Sequence, residues 1–316
     1  MKPVYQILSA ALMFLLHSCQ KDNGNVAGTK PGYAAPAGAP TVYAGTPFNS
    51  LFRDLRYKPE IQCVNAGKLT TITFSRGTRL TFYPNSFKDG AGNLITTGQV
   101  CIELTEIYKT GDMIANRVTT MEGSNLLTSA GQVLIYASRN GEKVFANKYG
   151  IAFKQPAPSS QPMALYFGNS RNADSLVTWT QVGAPLPGTR DTTAPAPGDT
   201  TGGWGAGFWY MFDSCTDFTW INADKFYEHT GSRSTVKLVV PGIDVTNANT
   251  QAFLVIPSIN ACINFYYNNS TPLTFNVTNI PDGLNAVVVV ISKRNNKYYY
   301  YQTASFTVGS RSEEHT

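Results

Sequence analysis

The sequence predicts an all-β protein built from two β-sandwich domains. Composition is the first indication, because the 316 residues include 17 Tyr, 17 Phe, 27 Gly and 18 Pro, a mixture typical of pleated sheets joined by turns. Apolar residues alternate with polar ones over many short segments, whereas the period of amphipathic helices is nearly absent. Two segments of low complexity divide the chain into lengths that suit two ordinary domains.

Residues 1–18 are predicted to be a signal peptide. Lys2 precedes the apolar run "ILSAALMFLL" of residues 7–16, which is shorter than the roughly 20 residues needed to span a bilayer. The residues "LHSC" at 16–19 resemble a bacterial lipobox. That resemblance implies cleavage before Cys19 and membrane anchoring by acyl chains on its thiol and amine. The alternative is an ordinary secretory peptide followed by an incidental cysteine.

The residues after Cys19 indicate where the protein is displayed. They resemble the short Lys-Asp/Glu-rich export signal of Bacteroidota surface lipoproteins, and the candidate signal consists of Gln20, Lys21, Asp22 and Asn23. The resemblance implies a lipid anchor in the outer membrane, facing the cell exterior; a generic polar spacer is the alternative. Residues 19–47 are expected to be a disordered tether rich in Gly, Ala and Pro. The expected architecture is two β-sandwich domains on a lipidated flexible N-terminal tether.

Residues 48–182 are predicted to form the N-terminal β-sandwich domain. Strand patterns occur in "TTITFS", "RLTFYP", "GQVCIELTEIY", "GQVLIYAS" and "KVFANKYGIAF". Asn140-Gly141 is a strong hairpin signal, because both central positions of the tight turn favour positive φ. The stretch Asp89–Asn93 is expected to be a plain hairpin turn, since calcium requires several oxygen ligands and this stretch has one acidic residue.

The stretch of residues 77–107 resembles the β-sandwich domain shared by netrin receptors, ankyrins and the zona occludens protein. The resemblance rests on positions that form the fold, namely Leu80, Pro84, Phe87, Gly98 and Val100. It implies a protein-interaction module. Some members of that family cleave themselves at a Phe-Ser bond beside a histidine. Phe74-Ser75 is present, but residues 48–182 contain no histidine, so autoproteolysis is not expected.

Residues 183–203, rich in Pro, Gly and Thr, are predicted to link this domain to a C-terminal β-sandwich domain over residues 204–310. The continuous apolar run at 286–291 is typical of a central strand covered on both faces. Residues 219–226, "TWINADKF", are expected to form a short helical turn. Residues 275–290 resemble the strand-loop-strand of transthyretin-like or immunoglobulin-like modules, and this resemblance does not choose between the two.

Charge makes nucleic acid an unexpected partner. The formal net charge is +5, only 14% of residues are charged, and no block of Lys or Arg occurs. Residues 311–316, "RSEEHT", back-translate to a DNA sequence that resembles a common sequencing adapter. They are expected to be an artefact, with a genuine polar tail as the alternative.

Two cysteines fall in each predicted domain, and the set is Cys63, Cys101, Cys215 and Cys262. Intradomain disulfides are expected in an exported protein. Of the three possible pairings, the domain division favours Cys63–Cys101 and Cys215–Cys262; four buried free thiols are the alternative. A zinc site would lack histidine partners, so no metal and no cofactor is expected.

No catalytic constellation is recognisable. His229 is the one histidine outside the signal peptide and the last six residues, and it is expected to be a solvated loop residue. A Ser-His-Asp triad would require it, and no nucleophile elbow is present. Candidate carboxylate pairs, Glu103 with Glu106 and Asp213 with Asp217, lack an acid–base context. The protein is therefore not expected to be an enzyme, although an unrecognised hydrolase is kept as the second alternative.

Six tyrosines form the candidate ligand surface: Tyr266, Tyr267, Tyr298, Tyr299, Tyr300 and Tyr301. The four consecutive tyrosines lie in a predicted strand, so two rings must point to each face. Exposed tyrosines suit stacking on sugars or anchoring of a protein partner; the alternative is that they cover the core at a sheet margin. The sequence thus predicts a surface protein that binds an extracellular protein or glycan. The first alternative is a structural accessory subunit of an outer-membrane assembly.

Overall fold

Antiparallel strands form most of the computed structural model, which confirms the all-β, sandwich-like fold class. The structure describes residue 52 and residues 55–155, 162–171, 177–181, 192–193, 196–197, 208–240, 246, 248–268, 274–295 and 297–309. All of these belong to one compact unit. The predicted signal peptide, Cys19, the export signal, the tether and residues 311–316 lie outside the described residues.

Thirteen strands and one helix are described before residue 182: β1 Glu60–Asn65, β2 Thr70–Thr73, β3 Arg79–Phe82, β4 Phe87–Lys88, β5 Leu94–Ile95, β6 Gln99–Ile107, α1 Thr110–Asn116, β7 Met121–Glu122, β8 Asn125–Arg139, β9 Glu142–Lys143, β10 Phe145–Ala146, β11 Tyr149–Gln155, β12 Met163–Arg171 and β13 Val177–Gln181. The turn between β8 and β9 has positive φ at Asn140 (53°) and Gly141 (84°), which confirms the predicted hairpin.

The remaining described strands are β14 Thr192–Thr193, β15 Ala196–Pro197, β16 Phe208–Cys215, β17 Trp220–Phe226, β18 Arg233–Val239, β19 Thr250–Ile256, β20 Ala261–Asn264, β21 Tyr266–Asn268, β22 Thr274–Pro281, β23 Asn285–Arg294, β24 Lys297–Gln302 and β25 Phe306–Thr307. A 3₁₀ turn, Pro257–Ile259, joins β19 to β20.

Four sheets, called I to IV, carry the fold. Sheet I has the strand order β15-β16-β11-β3-β2. Sheet II has the order β1-β6-β8-β17-β12-β13, with β7, β9 and β14 paired to its strands. Sheet III has the order β20-β19-β23-β24, with β25 paired to β23, and sheet IV has the order β18-β22-β21. A further small sheet has the order β10-β4-β5.

Apolar side chains fill three successive layers between these sheets. Core one lies between sheets I and II, and core two lies between sheets III and IV. Core three joins sheets II and III, because it contains Leu127, Tyr166 and Trp220 from sheet II together with Phe253 and Ile291 from sheet III. Successive side chains of a strand point to opposite faces. Sheets II and III are therefore covered on both faces.

Strand β23 shows how one sequence serves two cores. Val288 and Val290 lie in core two, whereas Val289 and Ile291 lie in core three. Each such side chain contributes about 1.5–3 kcal/mol when it is fully removed from water. The predicted central strand at 286–291, covered on both faces, is confirmed.

The predicted domain boundary separates strands β16 and β17 from the strands with which they pair. A boundary before residue 204 places both in the C-terminal domain, yet β16 pairs with β11 of sheet I, and β17 pairs with β8 and β12 of sheet II. The expected helical turn at 219–226 is also wrong, since Trp220–Phe226 is a strand. The reason is tertiary: β8 and β12 both hydrogen-bond to this segment, and ladder bonds on two sides outweigh a weak local helical preference.

Parts of the predicted linker are also paired. Thr192–Thr193 pairs with β12, and Ala196–Pro197 pairs with β16. The rest of residues 183–203 lies outside the described residues. Among the helices in the described part of the chain, none is long and apolar enough to cross a membrane.

Candidate functional site

Strand β24 places its tyrosines at the edge of sheet III. It pairs with β23, so that Tyr298 lies opposite Lys293, Tyr300 opposite Ile291 and Tyr301 opposite Val290. Within the described residues, β23 is the single strand to which β24 is hydrogen-bonded. Asn295, in the turn between the two strands, has a φ of 48°. The outer edge of β24 therefore presents backbone groups that no described strand satisfies.

The rings divide between the two faces, as expected from strand geometry. Residues paired across an antiparallel ladder share a face, so Tyr298 and Tyr300 lie on the side of core three. Tyr298 packs against that core, and Tyr300 stays 41% exposed. The Tyr300 hydroxyl donates a hydrogen bond to Gln302 Oε1 at 2.7 Å, and partial burial raises the pKa of this hydroxyl. Tyr299 and Tyr301, on the opposite face, are 38% and 54% exposed.

We call Tyr299, Tyr300 and Tyr301 the tyrosine edge. The two faces of sheet III are covered by cores two and three, so these rings do not form a flat platform on a sheet face. They flank instead a strand edge that no other described strand covers. The arrangement suits a partner that approaches along the strand and inserts between large rigid anchors.

The predicted six-tyrosine surface is divided by the structure. Tyr266 and Tyr267 lie in β21 of sheet IV, where Tyr267 packs edge-to-face on Phe275 with ring centres 5.7 Å apart. Strand β21 directly follows β20, which is the edge of sheet III opposite to β24. Tyr266, although 52% exposed, therefore does not extend the tyrosine edge. Tyr298 is a core-margin residue, as in the alternative interpretation.

One of the two expected disulfides is present. Cys63 and Cys101 are directly opposite each other on β1 and β6, and they are bonded. Cys215 and Cys262 are unpaired and buried, so the predicted Cys215–Cys262 bond is wrong. Cys215 lies in core one and Cys262 in core three, and sheet II separates those cores. Burial raises the pKa of both thiols.

The structure does not bring Glu103 and Glu106 together. Glu106 is buried, and its carboxylate accepts the backbone N–H groups of Arg76 and Thr78, each at 2.7 Å. Glu103 lies on the other face of β6, since three positions separate the two residues. His229 bonds to the Ser232 carbonyl at 2.9 Å. No group of three or more His, Cys, Asp or Glu that could hold a metal occurs in the described residues.

The Asp89 turn has a structural role. Asp89 Oδ1 accepts the backbone N–H groups of Ala91 and Asn93, both at 2.9 Å, and these bonds, together with one from the Asn93 side chain, lower the pKa of Asp89. Phe87–Lys88 and Leu94–Ile95 pair on either side of the turn. The predicted hairpin turn is confirmed.

A buried polar cluster between sheets II and III was not predicted from the sequence. Asp224 is fully buried, and its Oδ2 accepts a hydrogen bond from Asn222 Nδ2. Ser129 Oγ in turn donates to Asn222 Oδ1 at 3.2 Å. Burial raises the pKa of the Asp224 carboxyl group well above its ordinary value. Asn222 and Asp224 are two positions apart in the stretch "TWINADKF". This spacing places both side chains on one face of a strand, so it would have predicted the cluster if the stretch had been interpreted as a strand.

Comparison with protein-family models finds none that matches the chain, and comparison with curated proteins finds no match.

Proposed function

We propose that the chain is a lipid-anchored, surface-exposed binding protein without catalytic activity, which holds an extended segment of an extracellular protein along the tyrosine edge. The observation that carries this proposal is the outer edge of β24, to which no described strand pairs and which three exposed tyrosines flank. A strand added at such an edge gains backbone hydrogen bonds, and alternate side chains of the partner contact the rings. Tyrosines are among the residues that dominate binding energy at protein interfaces.

A polypeptide fits this edge better than a glycan. Glycan platforms need aromatic rings on one flat face, whereas both faces of sheet III are covered and the rings diverge to two sides of the strand. A polypeptide can satisfy the outward N–H and C=O groups of β24, because it carries the same groups at the same spacing.

Photo-crosslinking in intact cells tests the binding surface. A benzophenone side chain replaces Tyr301 in one variant and Tyr266, a tyrosine of nearly equal exposure on a different sheet, in the matched control. We expect a discrete polypeptide adduct at position 301 and little at position 266. Adding Tyr299→Ala to the first variant should reduce the adduct at least about tenfold, because such anchors contribute about 2 kcal/mol or more. Equal yields at both positions, or a polysaccharide adduct, would contradict the proposal.

Protease shaving tests the location. The lipid anchor at Cys19 and the export signal at residues 20–23 are inferred from the sequence. Intact cells that express the natural chain should lose the protein to added protease without lysis. A Cys19→Ala variant should instead fail to remain in the membrane fraction. Protection of the natural chain until the outer membrane is broken would place it in the periplasm and would favour the accessory-subunit alternative.

A further inference from the structure

A polar cleft lies at one end of sheet I, on a different layer from the tyrosine edge. It has a volume of about 450 Å³ and is lined by Tyr83, Asn85, Asn147, Lys148 and Asp213. Three segments meet there: the loop after β3, the two residues before β11, and the end of β16. They meet because Phe82, Tyr149 and Cys215 are neighbours across adjacent antiparallel strands. A cleft of this size lies within the range of small-molecule sites.

Hydrogen bonds between the loops hold the walls of the cleft in place. Ser86 Oγ accepts the Tyr83 N–H at 2.7 Å and donates to the Lys148 carbonyl at 2.6 Å. The Asn147 backbone N–H donates to the Ser86 carbonyl at 2.8 Å, and Asn147 Nδ2 donates to the Asn85 carbonyl at 2.9 Å. A ligand therefore meets a wall that is already ordered, which lowers the entropy cost of binding.

Stacked aromatic rings in core one pack beneath the loops that line the cleft. Phe82 stacks on Phe87 with ring centres 4.9 Å apart, and Tyr149 packs on Phe218 at 5.0 Å. All four side chains are buried in core one. The residues that line the cleft are thus mounted on a rigid base, and their own side chains remain on the surface.

Several polar groups of the cleft have no hydrogen-bond or ion-pair partner among the described residues. In the described part of the chain, the Asp213 carboxylate and the Lys148 ammonium take part in no ion pair or hydrogen bond. The Tyr83 hydroxyl and the Asn85 side-chain amide are likewise without a hydrogen bond among the described residues. Acceptors, donors and amides that carry both functions therefore line one small space beside an aromatic ring.

This combination selects the chemistry of the ligand. One ammonium and one carboxylate leave the cleft without net charge, which disfavours phosphate and other multiply charged anions. A polyhydroxylated ring offers hydroxyl groups that both donate and accept, and it also offers a C–H face that can pack on a tyrosine ring. We propose that the cleft binds a neutral saccharide, with one or two sugar rings seated on Tyr83 and hydrogen-bonded by Asn85, Lys148 and Asp213.

The proposal is tested by titration of the full mature chain with methyl glycosides of glucose, galactose, mannose and N-acetylglucosamine, followed by saturation-transfer NMR. We expect at least one of them to bind saturably at millimolar concentration. Asp213→Asn and Asn85→Ala should each weaken that binding about tenfold, as expected for loss of a hydrogen bond to a charged or amide group. Tyr83→Phe should keep most of the binding, whereas Tyr83→Ala should lose it.

Two variants serve as matched controls. Asp217→Asn changes an exposed aspartate four positions from Asp213, and Tyr301→Ala changes the tyrosine edge. Both should bind the sugar as the natural chain does, which separates this site from the proposed protein-binding edge. Absence of saturable binding to all four glycosides would overturn the proposal. Binding of glucuronate in preference to glucose, or binding that the cleft variants leave unchanged, would do the same.

Discussion

At the scale of single residues, Asp224 is a fully buried carboxyl group whose pKa is raised. It lies in sheet II on the face toward core three, and it is bonded to Asn222, which is bonded to Ser129. Desolvation by burial is the main cause of its raised pKa, and hydrogen bonds to Asp224 from the Ser129 and Asn222 side chains oppose that shift without cancelling it. A neutral carboxyl group at this point avoids placing a charge between two apolar layers.

Asp224→Asn is expected to stabilise the protein at neutral and alkaline pH. The folded state keeps a proton that the unfolded chain releases above the ordinary pKa of 3.8. The contribution of Asp224 to stability is therefore fully present below about pH 4, and it is lost as the pH rises through the raised folded pKa. Replacing Asp224 with the non-ionisable Asn should raise the free energy of unfolding by at least about 1 kcal/mol at pH 8. Urea unfolding between pH 4 and pH 9 measures this difference in the free energy of unfolding, and Asp217→Asn is the exposed control. Identical pH profiles for Asp224→Asn and the natural chain would refute the prediction.

At the scale of strands, β12 depends on close approach between neighbours. It lies between β13 and β17 in sheet II, where Gly168 faces Trp179 and Trp220 across the two ladders. A Cβ atom at Gly168 would lie 2.5 Å from Val177 Cγ1 and 2.6 Å from Trp220 Cβ. Such distances are well inside van der Waals contact, so the strands can keep this spacing only with glycine at position 168.

Gly168→Ala is therefore expected to destabilise the protein by about 1–3 kcal/mol through overpacking. Gly90→Ala is the matched control, because no heavy atom lies within 4 Å of a Cβ built at that position. Its effect should stay within about 0.5 kcal/mol. Thermal unfolding of the two variants beside the natural chain measures the difference, and equal stabilities would show that β12 can shift to accept the methyl group.

At the scale of the whole molecule, core three makes the two sandwiches a single stack of four sheets. Polar contacts reinforce it: Asn260 Nδ2 donates to the Tyr108 and Ser129 carbonyls at 3.0 and 3.2 Å, and the backbone N–H of Thr120 donates to the Cys262 carbonyl at 2.9 Å. An interface that shares buried aromatic side chains and hydrogen bonds couples the stability of its two sides.

Phe253→Ala should consequently lower the stability of the whole stack. Phe253 is fully buried in core three, and its loss is expected to cost about 3–5 kcal/mol. We expect one unfolding transition in calorimetry, displaced as a whole to lower temperature. Phe145→Ala, which changes a side chain that is 40% exposed, should shift it little. Two separate transitions, of which only one moves, would show that the sandwiches unfold independently.

The sequence predicted the tyrosine edge only in part, and it did not predict the polar cleft. The tyrosines of β24 were identifiable because four in succession must divide between two faces. Their separation from Tyr266 depended on strand order within sheets III and IV, which follows from pairing over long sequence distances. The polar cleft was not foreseen at all, because its lining comes from residues 83–85, 147–148 and 213.

The sequence by itself determined the all-β class, the Asn140-Gly141 and Asp89 turns and the buried central strand at 286–291, since these depend on alternation, turn chemistry and composition within short segments. Only the tertiary structure decided that β16 and β17 belong to the first two sheets, that Cys215 and Cys262 stay apart, and that a third core joins the sandwiches. The physical reason is that strand order and sheet stacking are set by non-local hydrogen bonds and burial, whose partners are distant in the chain.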